Sequence, residues 1–121
     1  MNKNILQEKS YQFAIKIIAI YKELRERHKE YVLSKQLLRC GTSVGANIEE
    51  AIGGQSEKDF RAKISIAYKE ARETHYWIRL LRDSDYLPKE DAKILLDDCE
   101  EILKISGKTL NTLKHRLQSS N

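Results

Sequence analysis

The sequence is poor in residues that break, cross-link or anchor a chain. There is one proline in 121 residues, so no segment reads as a polyproline linker and little forces a helix to stop. Two cysteines, Cys40 and Cys99, stand far apart with no Cys-x-x-Cys pair. Flanked by apolar positions, they read as small buried hydrophobes in a reducing compartment, not as a disulfide framework or a zinc site. No apolar run reaches signal-peptide or bilayer length, and Met1 is followed by the polar Asn-Lys-Asn, so a cytoplasmic protein with no membrane partner is expected. His28, His75 and His115 each lack a glutamate three residues before them, which removes the Glu-x-x-His pairs a di-iron bundle needs. No Gly-x-x-x-x-Gly-Lys-Ser/Thr loop could cradle a nucleotide, and no Ser or Cys is grouped with a base and an orienting partner. The expectation is a protein that is not an enzyme, with no catalytic residues, no metal and no cofactor.

What is present is charge and helical periodicity. One third of the residues are charged, 40% are hydrophobic, and the net charge is +4 with a pI near 9.0, a balance that permits nucleic-acid binding without requiring it. Leu6, Phe13, Ile17, Ile20 and Leu24 recur at helical spacing over about residues 4–29, with a second stripe of Ala14, Ile18 and Tyr21 beside them. Ser34 reads as the N-cap of a second helix, about 34–53, marked by Leu37, Val44, Ile48, Ala51 and Ile52 and stopped at Gly53-Gly54. Ser56-Glu-Lys-Asp59 resembles a capping box and opens a third, about 56–84. Along it Phe60, Ile64, Ala67, Ala71, Thr74, Ile78 and Leu81 alternate steps of four and three, the pattern of a bundle seam. After Pro88 a fourth helix, about 88–118, carries Leu96, Cys99, Leu103, Ser106, Leu110, Leu113 and Leu117, its apolar face widened by Ile102 and Ile105. Period-two alternation persists nowhere. The expected fold is all-α, one antiparallel up-down-up-down four-helix bundle domain over residues 1–121. The extra stripes on the first and fourth helices exceed what one such core needs and point to a face packed on another subunit.

The second helix holds an oddity. Gly41 and Gly45 lie four apart on one side of it, near the small Ser43 and Ala46. Each interior glycine costs about 1 kcal/mol relative to alanine, and close approach of another backbone is the usual compensation. Lys35, Arg39, Glu49 and Glu50 rule out a bilayer span, so close packing within the bundle or between protomers, or approach of a ligand, remain the readings. Asn47, between Val44 and Ile48, reads as a polar pin of helix register or a ligand contact.

Basic surface is the remaining candidate for function. Lys58, Arg61, Lys69, Arg72, Tyr76 and Arg79 fall along one side of the third helix, a quarter turn or more from its seam. Cations there could meet phosphates, and Tyr76 could stack on a base. The alternative is a solvated face partly neutralised by four-apart pairs, Glu57 with Arg61 and Lys69 with Glu73. A second basic zone, Lys104, Lys108, Lys114, His115 and Arg116, follows the acidic start of the fourth helix, an order that also suits the helix macrodipole.

Leu37-Leu38-Arg39 and then Ser43-Val44-Gly45-Ala46-Asn47-Ile48-Glu49-Glu50 resemble the signature of the bacterial four helix bundle protein family, first noticed as products of intervening sequences within large-subunit ribosomal RNA genes. Members often have proline where this chain has Gly45. The resemblance continues through Ser56 and Ile64-Ser65-Ile66-Ala67 and spans nearly the whole chain. It implies a four-helix protomer assembled as a ring-like homopentamer; Gly41, Ser43, Gly45, Asn47 and Glu50 are the expected motif for packing between helices, within a protomer or between protomers. It also implies kinship with the accessory variability protein of diversity-generating retroelements, a pentameric bundle thought to bind RNA and a reverse transcriptase. No catalytic residue comes with it. The functional expectation is a non-catalytic homo-oligomer binding structured RNA through the basic side of the third helix. The alternative is a protein-interaction scaffold docking a partner through Tyr68, Tyr76, Trp77 and Tyr86.

Overall fold

The steps of three and four in the apolar pattern are realised as four helices in the computed structural model, which describes residues 2–119, with side chains described for residues 5–116. They are α1 (Asn2–Glu26), α2 (Leu33–Ile52), α3 (Glu57–Asp83) and α4 (Lys89–Ser119), and no strand occurs among the described residues. Each packs on two neighbours in the cyclic order α1, α2, α3, α4, and the diagonal pairs stay apart. The α2–α3 seam is the most extensive and the α1–α4 seam the least. This is the all-α four-helix bundle that the periodicity predicts.

The α3 seam is buried from Ile64 through Ala67, Ala71, Thr74 and Ile78 to Leu81, with Phe60 half-buried at its start. Across it lie Phe13, Ile17 and Leu24 of α1, Leu37, Val44 and Ile48 of α2, and Cys99 and Ile102 of α4. On α4, Leu96, Ser106 and Leu113 are buried while Leu103 and Leu110 are half-buried; the side chain of Leu117 lies outside the described residues. Two hydroxyls in this core bond back to their own helices, Thr74 to the Glu70 carbonyl at 2.7 Å and Ser106 to that of Ile102 at 2.6 Å. Such back-bonding satisfies the hydroxyl without a neighbour, and among the described residues no buried side-chain polar atom lacks a partner.

Both glycines of α2 face α1 of the same chain. A Cβ built on Gly41 would lie 2.9 Å from Cγ1 and from Cγ2 of Ile17, a fully buried residue, and one on Gly45 would lie 3.3 Å from the carbonyl oxygen of Ser10. The helices approach so closely because neither position carries a side chain. Ser43 and Asn47 sit about half a helical turn away from the glycines. Asn47 donates to the Ser43 carbonyl at 2.8 Å and its hydroxyl at 3.0 Å, so it binds its own helix and pins none of its neighbours. Glu50 reaches Lys63 of α3 at 2.8 Å. The expected packing motif thus divides, glycines toward α1 and Glu50 toward α3.

The ends of the helices follow local chemistry. Ser56 caps α3 as its sequence predicts, its hydroxyl accepting the Asp59 N–H at 3.0 Å. Gly53 and Gly54 end α2 without left-handed backbone, Gly53 having φ −80°. Left-handed φ falls instead on Lys29 (54°) and Asp85 (66°), just past the ends of α1 and α3. At the second, Tyr86 N–H bonds the Leu81 carbonyl at 3.0 Å, a six-residue closure typical of a helix C-terminus. Ser34 is not the cap of α2. It lies inside the helix, buried, and donates its hydroxyl to the Glu30 carbonyl at 2.8 Å. The cap is the Glu30 carboxylate, which accepts the N–H groups of Val32 and Leu33 at 3.1 Å and of Ser34 at 2.7 Å. One anion thereby satisfies three unpaired donors at the positive end of the helix.

Two outcomes follow. Gly41→Ala should lower stability by about 1–2 kcal/mol in urea melts, because overpacking against Ile17 outweighs the better helix propensity of alanine. Partial burial works to raise the Glu30 carboxyl, but the three backbone N–H groups and the Ser34 hydroxyl together hold it below its ordinary value. The native group therefore titrates below the unfolded one, and its contribution is complete above the ordinary carboxylate range and fades as pH falls through the native pKa. Glu30→Gln should cost about 1 kcal/mol at neutral pH, and thermal melts across an acid series should show the gap to the unsubstituted protein closing.

Candidate nucleic-acid interface

A helix that buries a seam of short residues against two neighbours leaves its opposite side to solvent, and on α3 that side is basic. Lys58, Arg61, Lys69, Arg72 and Arg79 are exposed there, with Tyr76 48% exposed among them. All six residues of the predicted stripe share this outward face. Lys58 to Arg79 spans about 30 Å at 1.5 Å per residue, with Ala62, Ser65 and Ile66 separating a pair of cations near the N-terminus of α3 from the remainder.

The expected neutralising pairs do not form. Glu57 turns to Arg116 of α4 at 3.1 Å instead of to Arg61. Glu73 pairs with Arg39 of α2 and accepts the Trp77 indole N–H at 2.9 Å, leaving Lys69 aside. Arg39 also reaches Glu70 at 3.4 Å. These carboxylates lie on the flanks of α3, where a cation on the next helix can meet them at no cost to the seam. Lys58, Arg61, Lys69 and Arg72 consequently have no carboxylate partner among the described residues.

The C-terminal part of the stripe is more ordered. Arg79 donates its Nε–H to Nδ1 of His75 at 3.0 Å, while His75 Nε2 lies 3.0 Å from Glu100 of α4. With Nδ1 accepting, the ring is the tautomer that donates from Nε2 to the carboxylate. The Arg79 guanidinium also lies 6.0 Å from the centre of the Tyr76 ring, and Tyr76 meets Trp77 edge to face at 5.2 Å. Tyr76 is therefore part of a small cluster, not an isolated stacking platform.

Of the aromatics expected to dock a partner protein, Tyr76 alone is exposed. Tyr68 packs over Gly107, Trp77 is tied to Glu73, and Tyr86 meets His28 edge to face at 6.0 Å; all three are half-buried. They sit at the flanks of helices, where amphipathic rings cover the seams. Of the second apolar stripe expected on α1, Ile18 is exposed (40%) and lines up at steps of four and three with Ile15 (48%) and Tyr11 (60%), whereas Ala14 and Tyr21 are half-buried.

The second basic zone is divided. Arg116 is taken by Glu57, whereas Lys104 and Lys108 have no carboxylate partner among the described residues. Neither cysteine offers a nucleophile. Cys40 donates to the Leu37 carbonyl at 3.7 Å and Cys99 to that of Ala71 at 3.2 Å, and burial pushes their thiols up to about 11 and about 12. A thiol so shifted is almost wholly protonated at neutral pH. Among the described residues no three His, Cys, Asp or Glu side chains converge as metal ligands, and no helix is long and apolar enough to cross a membrane.

The chain belongs to the 23S rRNA-intervening sequence protein family, whose model matches residues 2–108. It is 44% identical to a protein of unknown function from the S23 ribosomal protein family of Bacteroides thetaiotaomicron VPI-5482, known from a crystal structure, with a TM-score of 0.89 over 92% of this chain and 99% of that one. No curated protein matches the chain.

Proposed function

We propose that this protein is a non-catalytic homo-oligomer that binds structured RNA through the outward face of α3. The observation that carries the reading is the uncompensated charge there: Lys58, Arg61, Lys69 and Arg72 stand without carboxylate partners while Glu57, Glu70 and Glu73 of the same helix are drawn to α4 and α2. A rigid, convex row of cations suits phosphates held in a fixed array. Family membership agrees with a ribosomal RNA context without supplying a ligand.

Self-association fits the α1 face. Tyr11, Ile15 and Ile18 form an apolar strip that the protomer does not cover. A ring closing through this strip would repeat the α3 stripe around its circumference and multiply weak contacts into useful affinity. The ring-like homopentamer implied by the sequence resemblance is one such arrangement. A scaffold for a partner protein would use the same strip, and the two readings part in their response to charge.

In fluorescence anisotropy with labelled structured RNA, log affinity should fall linearly with log salt. Arg61→Ala/Arg72→Ala should lower the slope by about 0.7–0.9 for each lost phosphate contact while the fold is retained. Arg79 is left intact because it holds His75. No binding at micromolar protein in low salt would end the RNA reading in favour of a protein partner. Sedimentation velocity should show an oligomer that Ile15→Asp/Ile18→Asp converts to folded monomers, and a monomeric unsubstituted protein would rule out self-association.

A further inference from the structure

Away from α3, the α1–α4 seam is closed by two ion pairs, Lys9 with Glu101 at 3.0 Å and Lys16 with Asp98 at 2.6 Å. Toward the end of the bundle where α1 begins, it opens into a cleft of about 790 Å³, a volume in the range of small-ligand sites. Its accessible apolar lining comes from Ile5 and Ile52, which are exposed, and from Phe60 and Ile105, which are half-buried, over a buried floor of Leu6, Ile48 and Ile64. The charges around it are not balanced. Both carboxylates that line it are already held, Glu101 by Lys9 and Glu57 by Arg116. Lys104 and Lys108, one turn apart on α4, line the same cleft and have no carboxylate partner among the described residues.

An apolar lining with two unpaired cations asks for a ligand that is apolar along its length and anionic at one end. We propose that this cleft binds a single-chain amphiphile, a long-chain carboxylate, with its alkyl chain against Ile5, Ile52 and Ile105 and its carboxylate at Lys104 and Lys108. A polynucleotide offers no alkyl chain to cover the lining, and a neutral alcohol leaves both lysines unanswered. The site is separate from the α3 stripe and does not depend on RNA binding.

Titration calorimetry on the full chain tests this with octanoate, decanoate and 1-decanol, each below the concentration at which it aggregates. Saturable binding of decanoate is expected, tighter than that of octanoate by about fourfold for each methylene that enters the cleft. Lys104→Gln/Lys108→Gln should weaken decanoate by about tenfold and leave decanol unchanged. Thr109→Trp, at a half-exposed lining position whose hydroxyl bonds only its own helix, should abolish binding of both while the thermal melt is retained. The proposal is overturned by absence of saturable binding, by equal affinity for decanoate and decanol in the unsubstituted protein, or by a lysine variant that weakens both alike. Association with anionic phospholipid vesicles without binding of monomeric decanoate would also overturn it, since it would place the interaction at a lipid surface.

Discussion

The approach of α2 to α1 at Gly41 and Gly45 constrains much of the rest of the molecule. With no side chain at either position, Ile17 and the backbone of Ser10 come against α2 directly, and that contact fixes the rotation of α2 about its own axis. Residues half a turn from the glycines must then face away from α1. Arg39 and Glu50 are such residues, and they meet Glu70, Glu73 and Lys63 on α3. The glycines therefore act at a distance: they set which flank of α2 is presented to α3, and so which carboxylates of α3 are claimed.

That claim shapes the candidate interface. On an isolated helix, Glu57 would support Arg61 and Glu73 would support Lys69, each pair contributing about 0.2–0.5 kcal/mol. In the bundle the same acids find cations on neighbouring helices, and Glu73 also gains the Trp77 indole N–H. Glu73 gains by the exchange because its carboxylate takes two donors there, Arg39 and the Trp77 indole N–H, where a single four-apart pair would supply one. The unbalanced charge of the outer face is thus a consequence of how the acids are used, as much as of where the cations fall.

The legibility of the sequence tracks the kind of force involved. The α3 seam, Ile64 through Leu81, could be read because burial imposes a period on the chain itself, and Ser56 could be read because its acceptor and donor lie three residues apart. The stripe from Lys58 to Arg79 was legible as a face for the same reason. What sequence spacing could not give was the choice among competing partners. Glu30 displaced Ser34 as the cap of α2 because a carboxylate on the preceding turn reaches three N–H groups, whereas a serine hydroxyl placed there would accept one or two. Tyr68, Trp77 and Tyr86 were misread as exposed because rings at helix flanks are covered by neighbours that only the assembled bundle supplies. The glycine spacing announced a close contact, but whether it lay inside the protomer depended on Ile17 and Ser10, far off in sequence.

The outer face of α3 carries a small cost in stability. Lys58 and Arg61 lie three apart, as do Lys69 and Arg72, and like charges at that spacing cost a few tenths of a kcal/mol each. On α4 an acid and a base instead pair along one helix, Lys93 with Asp97 at 2.9 Å. On α3 Glu57, Glu70 and Glu73 sit at the flanks, where they pair with α4 and α2, while Asp83, one turn beyond Arg79, pairs with Arg82 of its own helix. The protomer thus uses charge in two ways: paired between neighbouring helices, as with Arg39 and Glu70 or Lys63 and Glu50, and without carboxylate partners along Lys58, Arg61, Lys69 and Arg72 of α3.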